Sequence, residues 1–292
     1  PEINPAVQGG STDTTGNENA RRIYQGYTSI AISTMGGNSS YQSLQVTLAK
    51  KAAHGVSGTL NYTWSKSLDN IPYQTPVTSA GNGAGYVMPA YTPNHKALDY
   101  GPSVFDHRNN INLSYVWQLP KVESAPFVLR QVVNGWQTTG IIGVHSGEPL
   151  DVNLGSDVSL AGLGSSVDVP NRIGNKGYGG NACTYGTAAT TTCVSYLDPT
   201  AFTKPANDTF GNVRKDSFVG PRYVQWDSSL TRDFPIRERT KFQFRAEYFN
   251  LLNHTNLGTP TLSQTSATFG RITSGSSASS PRIAQLSLKL VF

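Results

Sequence analysis

The chain has 292 residues, of which 14% are charged and 37% are hydrophobic, and its formal net charge at pH 7 is +5. It contains no run of about 18 apolar residues, which excludes a transmembrane helix. A transmembrane β-barrel stays open, because barrel strands need only about ten residues of alternating character. The basic residues form no basic face interleaved with aromatic residues, so no nucleic-acid partner is predicted.

Seven segments alternate between apolar and polar residues, as expected of a β-strand with one apolar face. In chain order they are 41–50, 56–66, 108–119, 134–145, 224–236, 240–252 and 282–292. A weaker eighth candidate is 24–34. The sequence therefore predicts an all-β, antiparallel protein.

Two architectures explain strands with one apolar and one polar face. A soluble β-sandwich would turn its polar faces to water, whereas a membrane barrel would turn its apolar faces to lipid around a wet lumen. Tyr62 with Trp64, and Tyr115 with Trp117, lie toward strand ends, where the aromatic girdles of membrane barrels occur. Arg232 interrupts the apolar face of its strand, so a barrel would place it near a membrane interface or at a bulge.

The lengths of the connections favour the barrel. They are short at 51–55, long at 67–107, medium at 120–133, very long at 146–223, short at 237–239 and long at 253–281. Because membrane barrels alternate short periplasmic turns with long extracellular loops, this order predicts an up-and-down transmembrane β-barrel segment. The basic clusters Lys50-Lys51 and Arg237 to Arg239 are then expected at tight turns.

The last strand keeps its apolar face up to the aromatic residue Phe292. Chain ends of soluble domains usually fray into water, so this ending is unusual for a soluble protein. With the short turns on the periplasmic side, Phe292 is expected at the periplasmic end of the strand. A terminal Phe on a closing strand resembles the signal that the bacterial barrel assembly machinery recognises, which makes that machinery an expected partner.

No catalytic, cofactor or metal site is predicted. Asp69, Asp99, Asp106, His107 and Arg108 lie at or beside predicted strand ends, where their expected role is to brace loops through ion pairs and hydrogen bonds. No Ser or Cys nucleophile has a neighbouring base by motif, and the five histidines are dispersed. The protein is therefore expected not to be an enzyme.

Two zones are candidates for binding. Polar residues expected to face the lumen would contact a plug or line a solute path; they are Asn110, Asn112, Lys241, Gln243, Arg245, Glu247 and Lys289. The very long loop carries Tyr178, Tyr185 and Tyr196 and is the candidate for ligand capture, although its Gly-rich composition equally fits a mobile loop without a ligand. Cys183 and Cys193, in the same loop, are expected to form a disulfide rather than a metal site.

Motifs along nearly the whole chain point to a family. They are NSSYQSLQV (38–46), 54–69, 99–108, NGWQTTG (134–140), 210–216, GPRYVQWD (220–227), FRAEYFNLLNH (244–254) and 269–272. With these motifs the chain resembles the carboxy-terminal half of the β-barrel in TonB-dependent outer-membrane receptors, specifically the Oar-like type. The resemblance is specific to the family and uninformative about the ligand.

The resemblance implies that residues 1–292 supply about seven or eight strands of a barrel of about 22 strands with a plugged lumen. It implies uptake of a ligand from outside the cell and no cofactor. The implied partners are outer-membrane lipid, the plug domain of the same full-length chain, and the TonB complex, which would act through a missing amino-terminal part. A regulatory domain is also expected in that missing part.

Two alternatives stay open at this point. One is an outer-membrane adhesin or secretion-related barrel that presents its long loops to partners. The other is an independent eight-stranded barrel, which would need the segment 24–34 as a membrane strand.

Overall fold

A computed structural model describes residues 4–10, 12–28, 30, 37–70, 98–124, 126–162, 168–174, 177–185, 191–237, 240–275 and 280–292. Seven long strands form one sheet: β1 (Ser39–Ala53), β2 (Val56–Asp69), β3 (Asn109–Gln118), β4 (Trp136–His145), β5 (Tyr223–Arg237), β6 (Thr240–Phe249) and β7 (Ile283–Val291). Each strand pairs antiparallel with the next along the chain. The predicted up-and-down order is confirmed, and one continuous sheet is not the two-layered sandwich that the strand pattern also allowed.

The other elements are small and lie in the connections. The short strands are Gly101–Pro102, Pro149–Leu150, Asn171–Arg172, Tyr178–Tyr185, Thr191–Leu197, Phe202–Thr203, Phe218–Val219 and Arg271–Ile272. Among the elements that lie wholly within the described residues, the helices are Glu18–Arg21 and Phe127–Val133, and 3-10 turns cover Thr15–Asn17 and Pro199–Ala201.

The strand register gives the sheet, which we call the wall, one apolar and one polar face. The apolar face is represented by a row of opposed residues across five strands, Leu48, Leu60, Leu113, Ile142 and Trp226. The adjacent row on the polar face contains Thr47, Asn61, Asn112, Gly143 and Gln225. Because side chains alternate along a strand, this division continues over the whole wall.

Polar side-chain atoms on the apolar face are bonded to one another. The Tyr115 hydroxyl lies 3.2 Å from Ser228 Oγ, and Trp226 Nε1 donates a hydrogen bond to the same hydroxyl at 3.2 Å. Gly140 makes room for the ring, since a Cβ there would lie 2.6 Å from the Tyr115 hydroxyl oxygen. Such internal pairing suits a face without water, where a lone polar group is costly.

Two expectations about turns and one about a candidate strand were wrong or fall partly outside the described residues. Lys50 and Lys51 belong to β1, which continues to Ala53, so the first turn contains only His54 and Gly55, with φ of 53° and 79°. Arg237 belongs to β5, and residues 238–239 lie outside the described part of the chain. Residues 24–28 form turns and bends rather than a strand, and most of 29–36 lies outside the described residues.

The long connections fold together into a second unit, which we call the loop domain. It consists of the described residues of 4–28, 98–108, 146–222 and 250–282, and all of its wall connections leave from the end opposite the two-residue turns. Its core contains Leu150, Val152, Val169, Leu197, Ala201, Phe202, Val213, Phe218 and Phe269. The described parts of the very long loop thus pack around buried apolar side chains.

Backbone contacts join the separate segments of the loop domain. Ala6 N–H donates to the Ala161 carbonyl at 2.8 Å, and Lys215 N–H donates to the Leu98 carbonyl at 3.0 Å. The strand Arg271–Ile272 pairs with Thr191–Leu197, which extends the hairpin formed with Tyr178–Tyr185. Within that hairpin Cys183 and Cys193 oppose each other and form a disulfide, with their Cα atoms 4.9 Å apart.

Candidate functional site

The polar face of the wall carries all seven residues expected to face the lumen. Asn110 and Asn112 lie on β3, Lys289 lies on β7, and the other four, Lys241, Gln243, Arg245 and Glu247, lie on β6. The register from β3 to β7 puts their side chains on one face. They form two groups, because β4 and β5 separate β3 from β6.

Hydrogen bonds and ion pairs link these residues within each group. Asn112 Nδ2 donates to Asn110 Oδ1 at 2.8 Å, and Arg245 pairs with Glu247 at 2.7 Å. Asp233 of β5, which the sequence did not single out, accepts from Lys241 and from Gln243 Nε2, the latter at 2.9 Å. Several charged side chains on the polar face are therefore held in ion pairs and hydrogen bonds with their neighbours.

An open groove of about 700 Å³ crosses the polar face from β1 to β6. Its lining includes Thr59, Ser114, Thr139, Asp227, Arg245 and Glu247. Hydroxyl, carboxylate and guanidinium groups offer hydrogen bonds to a polar partner. Val116 and Ile141 also line the groove, so its surface offers both polar and apolar contacts.

The loop domain joins the wall at a rim that is braced by charge. Lys215 Nζ lies 2.5 Å from Asp69 Oδ1, at the end of β2, and 3.4 Å from Asp216 Oδ2. The side chains of Lys215, Asp69 and Asp216 are only 10%, 8% and 2% exposed. A buried cation between carboxylates is costly to break, so this contact fixes the loop domain on the wall.

Burial changes the acidity of the carboxyl groups beside Lys215. Desolvation, followed by the Asp216 carboxylate, raises the pKa of Asp151 to about 7, against the opposing effect of Lys215. Desolvation also raises the pKa of Asp216, again opposed by Lys215. Burial thus favours the protonated form of both carboxyl groups, and Lys215 favours the ionised form.

The other acidic and histidine residues at this rim also have structural contacts. Asp106 Oδ1 accepts a hydrogen bond from Ser67 N–H at 2.7 Å, and His107 Nδ1 lies 2.8 Å from the Ser146 carbonyl oxygen. The His107 ring contacts the His145 ring edge-on, with centroids 4.5 Å apart. Arg108 directly precedes β3, and Asp99 lies in the adjoining segment 98–108. Bracing was the role expected for this set.

Two of the three candidate ligand-binding tyrosines lie together. The rings of Tyr178 and Tyr196 meet edge-on with centroids 5.8 Å apart. Both hydroxyls contact the backbone of Val219, because Val219 N–H donates to Tyr178 at 2.7 Å and Tyr196 donates to the Val219 carbonyl at 2.8 Å. Tyr185 lies at the other end of the hairpin, where it pairs with Thr191.

The described residues contain no group of three or more His, Cys, Asp and Glu side chains placed to hold a metal ion. None of the described helices has the length and apolar content of a membrane span.

Comparison with known families decides the class. A family model described as an outer membrane beta barrel domain matches residues 1–285. The chain belongs to the outer membrane beta barrel domain family. No curated protein and no solved structure matches it.

Membership gives the two faces of this outer-membrane barrel domain their environments. The apolar face, with Leu286 and Leu288 of β7 exposed by 68% and 75%, is the face turned to lipid. The polar face with its groove is then the one turned to the lumen. The protein is located in the outer membrane.

Sequence reasoning missed three structural features of the barrel domain. They are the Lys215 contact, the apolar core of the loop domain and the helix Phe127–Val133. The helix had a local signal, since Pro126 precedes a run of five apolar residues in seven. Lys215 had none, because Asp69 is 146 residues away along the chain.

Proposed function

We propose that these residues form the carboxy-terminal barrel portion of a TonB-dependent outer-membrane receptor that takes up a ligand from outside the cell. The observation that carries the proposal is the wall itself. Among the described residues β1 and β7 each pair on one side only, and the polar face between them is an open groove. Further strands pairing with those edges would close the wall around the groove and make a wide lumen.

In this proposal the groove receives the plug domain of the same chain. Arg245, Glu247 and Asp227 would form ion pairs and hydrogen bonds with a polar plug surface. Movement of the plug, driven from the inner membrane through TonB, would open a path beside the same side chains. The barrel acts by binding and conducting, without catalysis.

The loop domain would meet the ligand first. Its wall connections lie opposite the two-residue turns, so it faces outward when those turns face the periplasm. Tyr178 is 48% exposed while its hydroxyl is bonded to the backbone. A ligand would therefore contact the face of this ring, and Tyr196 would support it from the side.

A crosslinking experiment tests the proposal in the native bacterium. TonB carrying a photoreactive residue in its periplasmic domain is crosslinked in cells that express the full-length protein with an affinity tag. The expected result is a covalent adduct in the outer-membrane fraction that is absent with a plugless porin of the same host as control. No adduct in cells, together with no binding between the purified full-length protein and purified TonB periplasmic domain, would refute the assignment.

One observation favours a second candidate, an adhesin or secretion-related barrel. The loop domain has its own apolar core and a disulfide, as a fixed binding module would. If this candidate is right, deletion of tonB leaves the binding of surface partners unchanged and no TonB adduct forms. If the protein is instead a TonB-dependent receptor, deletion of tonB should abolish uptake of its ligand.

A further inference from the structure

The connection between β3 and β4 contains an exposed apolar helix, Phe127–Val133. Five of its seven residues are apolar, and Phe127 and Val128 are 71% and 75% exposed. Pro126 precedes the helix in an extended conformation, and Asn134 N–H bonds to the Arg130 carbonyl at its end. A short helix that exposes so many apolar side chains to water is unfavourable unless something covers it.

The helix end is attached to the lipid-facing side of the wall. Trp136 Nε1 donates to the Val132 carbonyl at 2.9 Å, and Arg232 Nη1 donates to the same oxygen. Both side chains belong to the apolar face, where Arg232 opposes Trp136 and Phe244 across the strands. The helix therefore lies beside the lipid-facing surface, at the end of the wall with the two-residue turns.

The same contacts explain why an arginine is tolerated on the apolar face. Arg232 is 6% exposed, and its guanidinium lies 4.3 Å from the centroid of the Phe234 ring and 5.6 Å from that of Trp136. The carbonyl that it contacts is one of the last in the helix, which carry partial negative charge. The helix end thus covers the cation and partly compensates its charge.

From this geometry we infer that the helix Phe127–Val133 is a membrane-interface element whose apolar side chains insert among the acyl chains of the phospholipid leaflet on the two-residue-turn side. Lipid is the occupant because the end of the helix is hydrogen-bonded to Trp136 and Arg232, two side chains of a surface already turned to lipid. Arg232 is a positioning residue that holds the helix at that depth. The inference depends on the barrel's place in the outer membrane and is independent of transport.

Depth-dependent quenching tests the inference. The full-length protein is reconstituted at about one copy per vesicle in phosphatidylethanolamine and phosphatidylglycerol, with an environment-sensitive fluorophore on Val128→Cys. Cys183 and Cys193 are disulfide-bonded and do not react with the label. Leu286→Cys serves as the lipid-facing reference, and the exposed Lys121→Cys of the same connection serves as the polar control.

With brominated phospholipid, the extent of quenching at Val128 should agree with that at Leu286 to within about twofold. It should exceed the extent of quenching at Lys121 several-fold. Quenching at Val128 equal to that at Lys121 would overturn the inference. Quenching that appears only at high protein density would also overturn it, in favour of contact with a second copy. The same measurement on Leu129→Cys shows whether the result at Val128 is specific to one labelling position.

The role of Arg232 has its own readout. Arg232→Met should reduce quenching at Val128 at least twofold while quenching at Leu286 is kept, because the wall stays folded when the helix loses its attachment. Arg232→Lys should restore quenching at Val128, since an ammonium group also donates to a carbonyl. Unchanged quenching at Val128 in Arg232→Met, or a parallel loss at both positions, would refute the positioning role.

Discussion

Replacing Lys215 by Met should loosen the loop domain from the wall in a pH-dependent way. The substitution keeps the length of the side chain and removes the cation between Asp69 and Asp216, whose side chains are 8% and 2% exposed. Breaking a buried ion pair by removing one partner typically costs about 3–5 kcal/mol. The folded protein can limit that cost by taking up a proton on one of the two carboxyls.

This proton uptake determines how much the substitution lowers the free energy of opening the loop domain. Protonating a carboxyl of ordinary pKa near 3.9 costs about 4 kcal/mol at pH 7 and about 1.5 kcal/mol at pH 5, at about 1.4 kcal/mol per pH unit. The free energy of opening the loop domain should therefore fall by about 4 kcal/mol at pH 7. At pH 5 the loss should be less than half as large.

Hydrogen exchange measured by mass spectrometry on the full-length protein in vesicles reports this local opening. Peptides from 213–219 follow the loop domain, and peptides from 240–249 follow the wall as an internal reference. The matched control is Lys241→Met, because Lys241 and Asp233 are 43% and 38% exposed and such pairs contribute less than about 1 kcal/mol. A loss in Lys215→Met that is equal at pH 7 and pH 5 would refute the electrostatic argument.

Three further outcomes are expected. The pKa of Asp151 is about 7 in the folded state and about 3.8 in the unfolded state, so the stability of the loop domain should fall by up to about 4 kcal/mol as pH rises between these values. Asp151→Asn should flatten this pH dependence in the hydrogen-exchange measurement. Reducing the disulfide, or replacing both Cys183 and Cys193 by Ser, should lower the free energy of opening the hairpin, measured by hydrogen exchange, by about 2–3 kcal/mol, while peptides around Phe218 change little. An equal loss of protection in both regions would count against this prediction. Gly140→Ala should lower the temperature of heat-modified migration on gels, at a cost of about 1–3 kcal/mol, because its Cβ meets Tyr115; Gly143→Ala, three positions along the same strand, should not.

The wall was predictable because its signal is local. Alternation with a period of two persists through each strand, so all seven predicted segments overlap the strands that form. The error at the first turn came from Lys50 and Lys51, which resemble turn residues in sequence. In the structure β1 includes them both, and the reversal is made by His54 and Gly55, which adopt positive φ.

The loop domain was not predictable, because its core is assembled from distant segments. Leu150, Val169, Phe218 and Phe269 share one cluster, yet no regular spacing relates them along the chain. The seven polar wall residues were placed on one face by alternation, but their division into two groups follows from strand order. Whether they contact a plug or a solute stays a prediction.

The two outer strands of the wall have a practical consequence for work with residues 1–292 alone. β1 is 15 residues long, about 50 Å, and every one of its side chains is exposed, while β7 adds nine residues at the other side. Among the described residues each of these strands pairs on one side only, which leaves a row of backbone donors and acceptors that can pair with another chain. Expressed by itself, this stretch should therefore join edge to edge into sheets or fibres, and a longer chain or a capping strand is the remedy.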